Sequence, residues 1–269
     1  MLSSTTFHAQ HEAAHQAPAS VSRCDASIIC PGEELVYEVS WLRIHLGQIR
    51  LKTFDSKVVD GGIEHHAAGY IDSYDGLPFV DLHTIDHTRM DSMFYSHGFS
   101  ALEKKKDMWV TEKSHIDRPH KTLIIEKGSQ KDKSSPRTSP STIDTLKLHD
   151  ILIQDGLSIL YFARANMRKA LRDVRVPTVV YGKQGSTRLH FSGDVEYTEI
   201  DALEGRKIRV VPLEGKAEFE GIFGFTGDFK GLFTDDDAAI PVTAELKVLI
   251  GSVKLELIRW NRSGWSPPE

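Results

Sequence analysis

Residues 34–52, ELVYEVSWLRIHLGQIRLK, decide the fold. From Leu35 to Trp41 every second side chain is large and apolar, and the residues between them include charged and hydroxyl side chains. Alternation with a period of two, carried by β-branched and aromatic residues, predicts a strand with one buried face. After a bend near residues 43–45 the alternation resumes through Leu51. We therefore predict two strands joined as a hairpin.

Stretches of the same kind occupy most of the chain. Strands are predicted over residues 63–71 and 80–95, in a hairpin that turns near residues 106–107, and over residues 121–128. A similar series fills residues 174–260, with Gly- and Asp-rich turns about 8–15 residues apart, which is the all-β pattern. The total is about ten to twelve strands.

One stretch has the period of a helix instead. Residues 155–171, DGLSILYFARANMRKAL, begin with Asp155 at the position of an N-cap, just ahead of an apolar run. Tyr161 and Arg164 share one face with leucines at helical spacing, and apolar residues extend nearly all round. The pattern predicts a helix from Asp155 to about Leu171 that is buried against, or inside, a curved sheet.

These patterns predict a mainly β fold. We expect a curved antiparallel sheet, forming an incomplete or closed β-barrel, with one α-helix packed on its concave face, because a flat sheet could not bury so many apolar faces. Residues 31–262 are predicted to form a single barrel-like domain, with a flexible Ser-, Pro- and Lys-rich loop at 129–141. A disordered leader is predicted over 1–30 and a tail over 263–269.

Composition and charge exclude two classes of protein. The chain of 269 residues carries a net charge of −5, whereas a general nucleic-acid binder shows a concentrated basic footprint. The longest apolar stretches have the length of strands and do not approach the ~18 residues that suggest a membrane-spanning helix. We therefore predict neither nucleic-acid binding nor a membrane span.

Two cysteines lie before the first predicted strand, Cys24 and Cys30 in CDASIIC. They form either a disulfide that closes a small loop in an oxidising compartment or two free thiols. The first 20 residues lack the basic region and apolar core of a signal peptide. Two alternatives stay open: a true start upstream, or a cytoplasmic leader.

Catalytic and metal-binding groups are not predicted. His83 and His87 lie on a predicted strand, where four residues span roughly 13 Å, too far for one metal ion. Ser158 lacks the setting of a nucleophile elbow. The acidic run 235–237 lacks the spaced ligands of a calcium loop and predicts a turn. The chain also lacks phosphate-binding and dinucleotide motifs, so we predict no catalytic residues, no metal and no cofactor.

The helix face with Tyr161 and Arg164 is the candidate ligand site, together with Trp41 and Tyr37 on the first strand. In one interpretation Arg164 binds an anionic head group while apolar strand faces take a lipid tail. In the other, Arg164 pairs with an interior carboxylate, or caps carbonyl groups, and locks the helix to the sheet.

Three blocks of the chain resemble a bacterial family known as domain of unknown function 3108. They are PGEELVYEVSWLRIHLGQIRL at 31–51, QDGLSILYFAR at 154–164 and GLFTDDDAAIPVTAELKVLIGSVKLEL at 231–257. The helix block is similar to the family pattern D-x-x-S-x-L-Y-x-x-R through Asp155, Ser158, Leu160, Tyr161 and Arg164. Members usually begin with a signal peptide, so the resemblance implies a periplasmic or cell-envelope location.

Two functional hypotheses follow. The first is a non-enzymatic envelope protein that binds a lipid or another hydrophobic or amphipathic ligand in a barrel-like cavity, as lipoprotein-carrier barrels do. The second is a protein–protein interaction or scaffold module of envelope assembly, with other envelope proteins as partners and a filled core. The state of the space between helix and sheet, filled or open, separates the two.

Overall fold

A computed structural model describes Cys24 and residues 27–78, 80–134, 140–169, 172–218 and 225–269. Most of the predicted leader, 1–30, and the middle of the predicted loop, 129–141, lie outside the described residues. The described part of the chain forms one large antiparallel sheet of sixteen strands, with one α-helix and one short 3-10 helix. The predicted fold class, a curved antiparallel β-sheet with a single helix, is confirmed.

The strands of the first half precede the helix. They are β1 Glu34–Trp41, β2 Ile44–Thr53, β3 Lys57–Val59, β4 Gly62–Ser73, β5 His83–Met90, β6 Ser96–Lys105, β7 Met108–Asp117, β8 Thr122–Gln130 and β9 Thr142–Lys147.

The helix and the remaining strands complete the chain. They are α1 Ser158–Asn166, β10 Asp173–Val180, β11 Lys183–Phe191, β12 Glu196–Thr198, β13 Ile208–Ala217, β14 Phe225–Thr234, β15 Pro241–Val248 and β16 Ser252–Asn261, with the 3-10 helix at Asp201–Leu203. The short strand β3, and β9 beside the Pro-rich loop, were not predicted, because three to six residues give little alternation. The residues of β12 lie within the predicted series over 174–260 but were not separated from β11.

The sheet runs in the order β10-β11-β13-β14-β15-β16-β1-β2-β4-β5-β6-β7-β8-β9, so the two ends of the chain meet where β16 pairs with β1. The edges β9 and β10 do not pair with each other. Residues 148–157 cross between them, with the Gln154 amide donating to the Pro177 carbonyl and the Val179 amide donating to the Gln154 carbonyl, both at 2.8 Å. Across this seam Val179 packs in one apolar cluster with Leu123 and Ile125. The sheet is therefore an incompletely closed barrel with a packed seam.

The barrel has two different ends. Since all the strand pairs are antiparallel, the turns at 42–43, 106–107, 181–182 and 249–251 lie at one end, which we call the mouth end. The other end, which we call the plugged end, contains residues 27–33, α1 and residues 262–265. There Tyr161, Phe162 and Ala163 are all buried, although they point in different directions from the helix axis. This burial is expected of a helix that lies inside the concave sheet and is surrounded by it.

The helix is shorter than predicted. It begins at Ser158 rather than Asp155 and ends at Asn166 rather than near Leu171, and residues 170–171 lie outside the described part. The Asn166 side chain donates to the Phe162 carbonyl, and the Met167 amide bonds back three residues to Arg164, so the final turn tightens.

The predicted tail, 263–269, packs against the barrel. Trp265 is buried in the main apolar cluster, with its ring edge-on to Trp260 at 5.8 Å between centroids. The Arg209 amide donates to the Pro268 carbonyl at 2.9 Å. An SGW turn after a strand gives no period from which such packing could be predicted.

Candidate functional site

The inward face of the barrel is buried at the plugged end and partly exposed at the mouth end. Along β1, Leu35 and Tyr37 are buried, whereas Val39 and Trp41, two and four residues further on the same face, are partly exposed. Along β2, Leu51 is buried but the next residue toward the mouth on that face, Ile49, is only half-buried.

A similar decrease in burial toward the mouth recurs on most strands of the sheet. The buried residues of the plugged end include Met90, Thr88, Ile116, Leu123, Val211, Phe233 and Leu257. Their partly exposed counterparts nearer the mouth, on the same strands and faces, are Asp86, Glu112, Lys127, Gly215, Phe229 and Leu255. The helix thus fills the concave surface at the plugged end. Toward the mouth most inward side chains are reached by solvent, although Thr84 and Ala217 are buried there.

One side of the mouth is apolar. Ile49 and Leu255 pack against the main apolar cluster, and Phe229 packs against the cluster that holds the helix residue Phe162. Val253 pairs with Trp41 across β16 and β1, so both lie on this inward face. These partly exposed side chains form a wall suited to an alkyl chain.

The opposite side of the mouth is acidic. Burial, reinforced by the carboxylates of Asp155 and Glu103, raises the pKa of Asp86 from 3.8 to about 7. Burial also raises the pKa of Tyr181, and the carboxylates of Asp86, Glu103 and Glu112 raise it further. Lys127 balances one of these charges, with its Nζ 3.4 Å from Glu112 Oε2. The mouth therefore has an apolar wall facing an acidic wall.

At the plugged end, Arg164 binds the buried carboxylate of Glu33. Its Nη1 donates to Oε1 at 2.8 Å, its Nη2 to Oε2 at 3.1 Å, and its Nε to the Ala238 carbonyl at 3.2 Å. Every guanidinium nitrogen thus has a protein partner. This arrangement is the interior ion pair of the second interpretation, in which Arg164 locks the helix to the sheet.

A second buried arginine, Arg262, completes the network. It donates to Glu33 and to the carbonyls of Cys24 and Ser27. Burial on its own would raise the pKa of Glu33, but Arg164 and Arg262 outweigh it and hold that pKa below its ordinary value. The Glu33 carboxylate, near the start of the domain, thus links Arg164 of the helix to Arg262, the residue after β16.

Cys24 and Cys30 form a disulfide in the structure, with their Cα atoms 5.4 Å apart. Both cysteines are buried. The closed loop carries the carbonyls that accept from Arg262, so the covalent link and the ion network hold the same segment.

Tyr161 and Tyr37 also have interior partners. The Tyr161 hydroxyl lies 2.8 Å from Thr53 Oγ1, and the Tyr37 hydroxyl donates to the Pro241 carbonyl at 2.8 Å. Burial, with a smaller contribution from Glu33, raises the pKa of Tyr161 to about 12. Both phenols stay neutral; Tyr161 ties the helix to β2, and Tyr37 ties β1 to β15.

The predicted ligand residues therefore separate into two places. Tyr37, Tyr161 and Arg164 meet at the plugged end, where all three are buried. Trp41 lies at the mouth end, where its Nε1 donates to the Ile250 carbonyl at 2.7 Å. The glutamate and second arginine of the network, Glu33 and Arg262, were missed because they are 229 residues apart and carry no local pattern.

The start of the helix is held by a reciprocal pair of hydrogen bonds. The Ser158 amide donates to Asp155 Oδ1 at 2.9 Å, and the Asp155 amide donates to Ser158 Oγ at 2.8 Å, as in a capping box. Thr88 donates to the same carboxylate, and Ser158 donates to Gln154 Oε1. Asp155 thus caps the first turn, and Ser158 is a buried structural residue.

A groove of about 410 Å³ runs along β10, β11 and β13 and is lined mainly by exposed charged side chains, among them Arg175, Arg188 and Glu214. Within the described residues, no three His, Cys, Asp or Glu side chains are grouped so that they could hold a metal ion. No helix in that part of the chain is long and apolar enough to cross a membrane.

The site and fold define a β-barrel-like domain that is plugged at one end and open at the other. A solved structure of similar fold is a beta-barrel-like protein of domain of unknown function DUF1849 from Brucella abortus, at a TM-score of 0.54 and 11% identity. The match covers 88% of this chain and 100% of that one. No family model and no curated protein matches the chain. A beta-barrel-like domain is therefore shown, and membership of family 3108 stays a prediction.

Proposed function

We propose that the protein is an exported, non-enzymatic binding protein that holds an amphipathic molecule in the mouth of its barrel. The gradient of burial along the inward face carries this proposal. Small barrels whose interior is completely filled by side chains leave no room for a ligand, whereas an open concave end can hold one.

The two walls of the mouth indicate the chemistry of the ligand. The apolar wall around Ile49, Phe229 and Leu255 suits an alkyl chain. The acidic wall around Asp86 and Glu103 disfavours an anionic head group and suits an uncharged or ammonium group. We therefore revise the ligand class from one with an anionic head, held by Arg164, to one with a neutral or cationic head.

The disulfide supports export. Disulfides persist in oxidising compartments such as the bacterial periplasm and are rare in the cytosol. The Cys24–Cys30 link holds a loop that the buried Arg262 needs as an acceptor, so an oxidising location would suit the folded state.

Binding can be tested with a pair of variants at adjacent positions. Val253 faces the mouth and Lys254 faces outward on the same strand, so Val253→Glu charges the apolar wall while Lys254→Glu changes only the outer surface. We expect a fluorescent fatty amine to bind the native protein and the Lys254→Glu variant, and to bind Val253→Glu at least tenfold more weakly.

Lipid extraction gives an independent measurement. Organic extracts of the purified chain, analysed by mass spectrometry, should contain an amphipathic molecule that is depleted from Val253→Glu. Empty extracts together with equal probe binding by both variants would contradict the proposal and favour an interaction module of envelope assembly.

A further inference from the structure

Two neighbouring turns at the mouth end expose large apolar side chains. In the turn between β1 and β2, Leu42 is 60% exposed and Ile44 is 48% exposed. In the turn between β15 and β16, Leu249 is 83% exposed and Ile250 is 68% exposed. Single exposed apolar residues are common, but four side chains on adjacent turns form a patch that invites a partner.

The two turns are held together. Trp41 Nε1 donates to the Ile250 carbonyl at 2.7 Å, which ties the end of β1 to the second turn. A Cβ atom placed on Gly251 would lie 3.4 Å from Leu42 Cδ2 and 3.7 Å from Trp41 Nε1. Leu42 therefore lies beside the second turn, and we call the four exposed side chains on these two adjacent turns the apolar tip.

The backbone at Leu42 and Arg43 is strained. Their φ angles are 46° and 68°, in the left-handed region that two-residue hairpin turns require at both positions and that Asn-Gly satisfies best. Two other turns of the barrel, Asp60-Gly61 and Tyr181-Gly182, place glycine at the second such position. The first turn instead has leucine and arginine, which stabilise the turn less than Asn-Gly would. Strain retained in this way points to a function for the side chains.

The charged residues of the two turns that form the apolar tip are basic. The nearest acidic residues on the flanking strands, Glu38 and Glu245, are paired with His45 and with Lys230. Arg43 lies within the first turn and Lys247 lies just before the second. A basic surface next to exposed apolar side chains complements an anionic lipid surface, which attracts Lys and Arg and accepts aliphatic and Trp side chains at its interface.

We propose that the apolar tip docks the mouth of the barrel on an anionic phospholipid bilayer. Leu42, Leu249 and Ile250 enter the interface between head groups and acyl chains, and Arg43 contacts lipid phosphates. Trp41, directly below the tip, lies at the depth that indole rings favour. This docking goes beyond the proposed function, because it does not require a ligand in the mouth.

Vesicle flotation tests the proposal with the full chain. We expect binding to vesicles of phosphatidylcholine and phosphatidylglycerol that weakens as salt is raised, and at least tenfold weaker binding for the double variant Leu249→Glu/Ile250→Glu. The matched control is Val58→Glu/Ile63→Glu, at the β3–β4 hairpin of the plugged end, where the two side chains are 80% and 51% exposed. All four positions are exposed, so both variants should fold.

A second variant separates the membrane role from a structural one. Replacing Leu42-Arg43 by Asn-Gly relaxes the turn, so the melting temperature should rise while vesicle binding falls at least fivefold. If Leu42 and Arg43 served only the folding of the turn, this exchange would lower the melting temperature of the protein.

The outcomes are decisive in both directions. Docking is supported if the Leu249→Glu/Ile250→Glu variant loses vesicle binding while the Val58→Glu/Ile63→Glu variant retains it. Three results overturn it: absence of vesicle binding by the native chain, equal losses in the tip and control variants, or unchanged binding after the Asn-Gly exchange. A tip that captures an envelope protein while failing to bind vesicles would identify that patch as a protein-docking surface instead. Probe binding in the mouth is measured separately, so docking and ligand binding can fail independently.

Discussion

The two ends of this barrel are built from the same strands but differ in which side chains they bury. At the plugged end a carboxylate and two guanidinium groups are buried and paired with one another, and the helix fills the space between the strands. At the mouth end apolar side chains of those strands are partly exposed and carboxylates face the interior. The plugged end is therefore packed around buried, paired charges, whereas many inward side chains of the mouth end are partly exposed.

The largest predicted effect is at Glu33. Glu33→Gln would leave Arg164 and Arg262 buried without a countercharge, and breaking a buried ion pair typically costs about 3–5 kcal/mol. We expect a loss of that size in the free energy of unfolding, measured with urea. Because the pKa of Glu33 is held below its ordinary value, the network's stability is present above that value and is lost as the pH falls through the lowered pKa.

The matched control, Glu38, lies on β1, closer to the mouth. Glu38 accepts from the Tyr74 hydroxyl near the surface, so Glu38→Gln should cost less than about 1 kcal/mol. Equal losses for the two variants would show that the buried Glu33 network contributes no more to stability than a contact near the surface.

Removing the disulfide should have the next largest effect. Cys24→Ser/Cys30→Ser frees a loop with a sequence separation of 6, and closing so short a loop contributes about 2 kcal/mol. We expect a lower melting temperature for the double variant, and the same decrease when the native protein is reduced. A reductant that further destabilised the serine variant would show that the effect has another origin.

Asp86 should make stability depend on pH in the opposite sense from Glu33. Its pKa of about 7 in the folded state is above the ordinary 3.8, so the folded protein binds an extra proton between these values and loses stability as the pH rises from about 4 to about 7. Asp86→Asn should flatten this dependence and stabilise the protein at pH 8 by about 1–2 kcal/mol, after allowance for partial exposure. A melting-temperature profile against pH measures it, and a profile unchanged by the substitution would refute the assignment.

The smallest predicted effect on stability is at the strained turn. Exchanging Leu42-Arg43 for Asn-Gly should raise the free energy of unfolding by about 1 kcal/mol, because both positions then favour positive φ. The substitution Asp60→Asn gives the Asp60-Gly61 turn of the plugged end the same Asn-Gly sequence. It should change the free energy of unfolding by less than about 0.5 kcal/mol. Urea unfolding of the two variants measures the difference.

Much of the fold could be predicted from local pattern. The alternation between Leu35 and Trp41 gave the first strand and its inward face correctly, and the apolar run after Asp155 located the helix and its burial on all sides. The candidate site could be predicted only in part. The structure brings Tyr37, Tyr161 and Arg164 together at the plugged end, where Arg164 binds Glu33 rather than presenting its donors to a ligand. Ligand binding by these residues stays a prediction.

What the sequence alone determined is the repertoire of elements, because strands and helices follow from the period of apolar side chains over a few residues. Only the folded arrangement of the whole chain settles which end of each strand is covered. That depends on where residues distant in sequence meet: Arg262 reaches Glu33 across 229 positions, and the seam places residues 148–157 across the sheet edges. A strand's pattern shows which face turns inward, but not whether a helix fills the space that it faces.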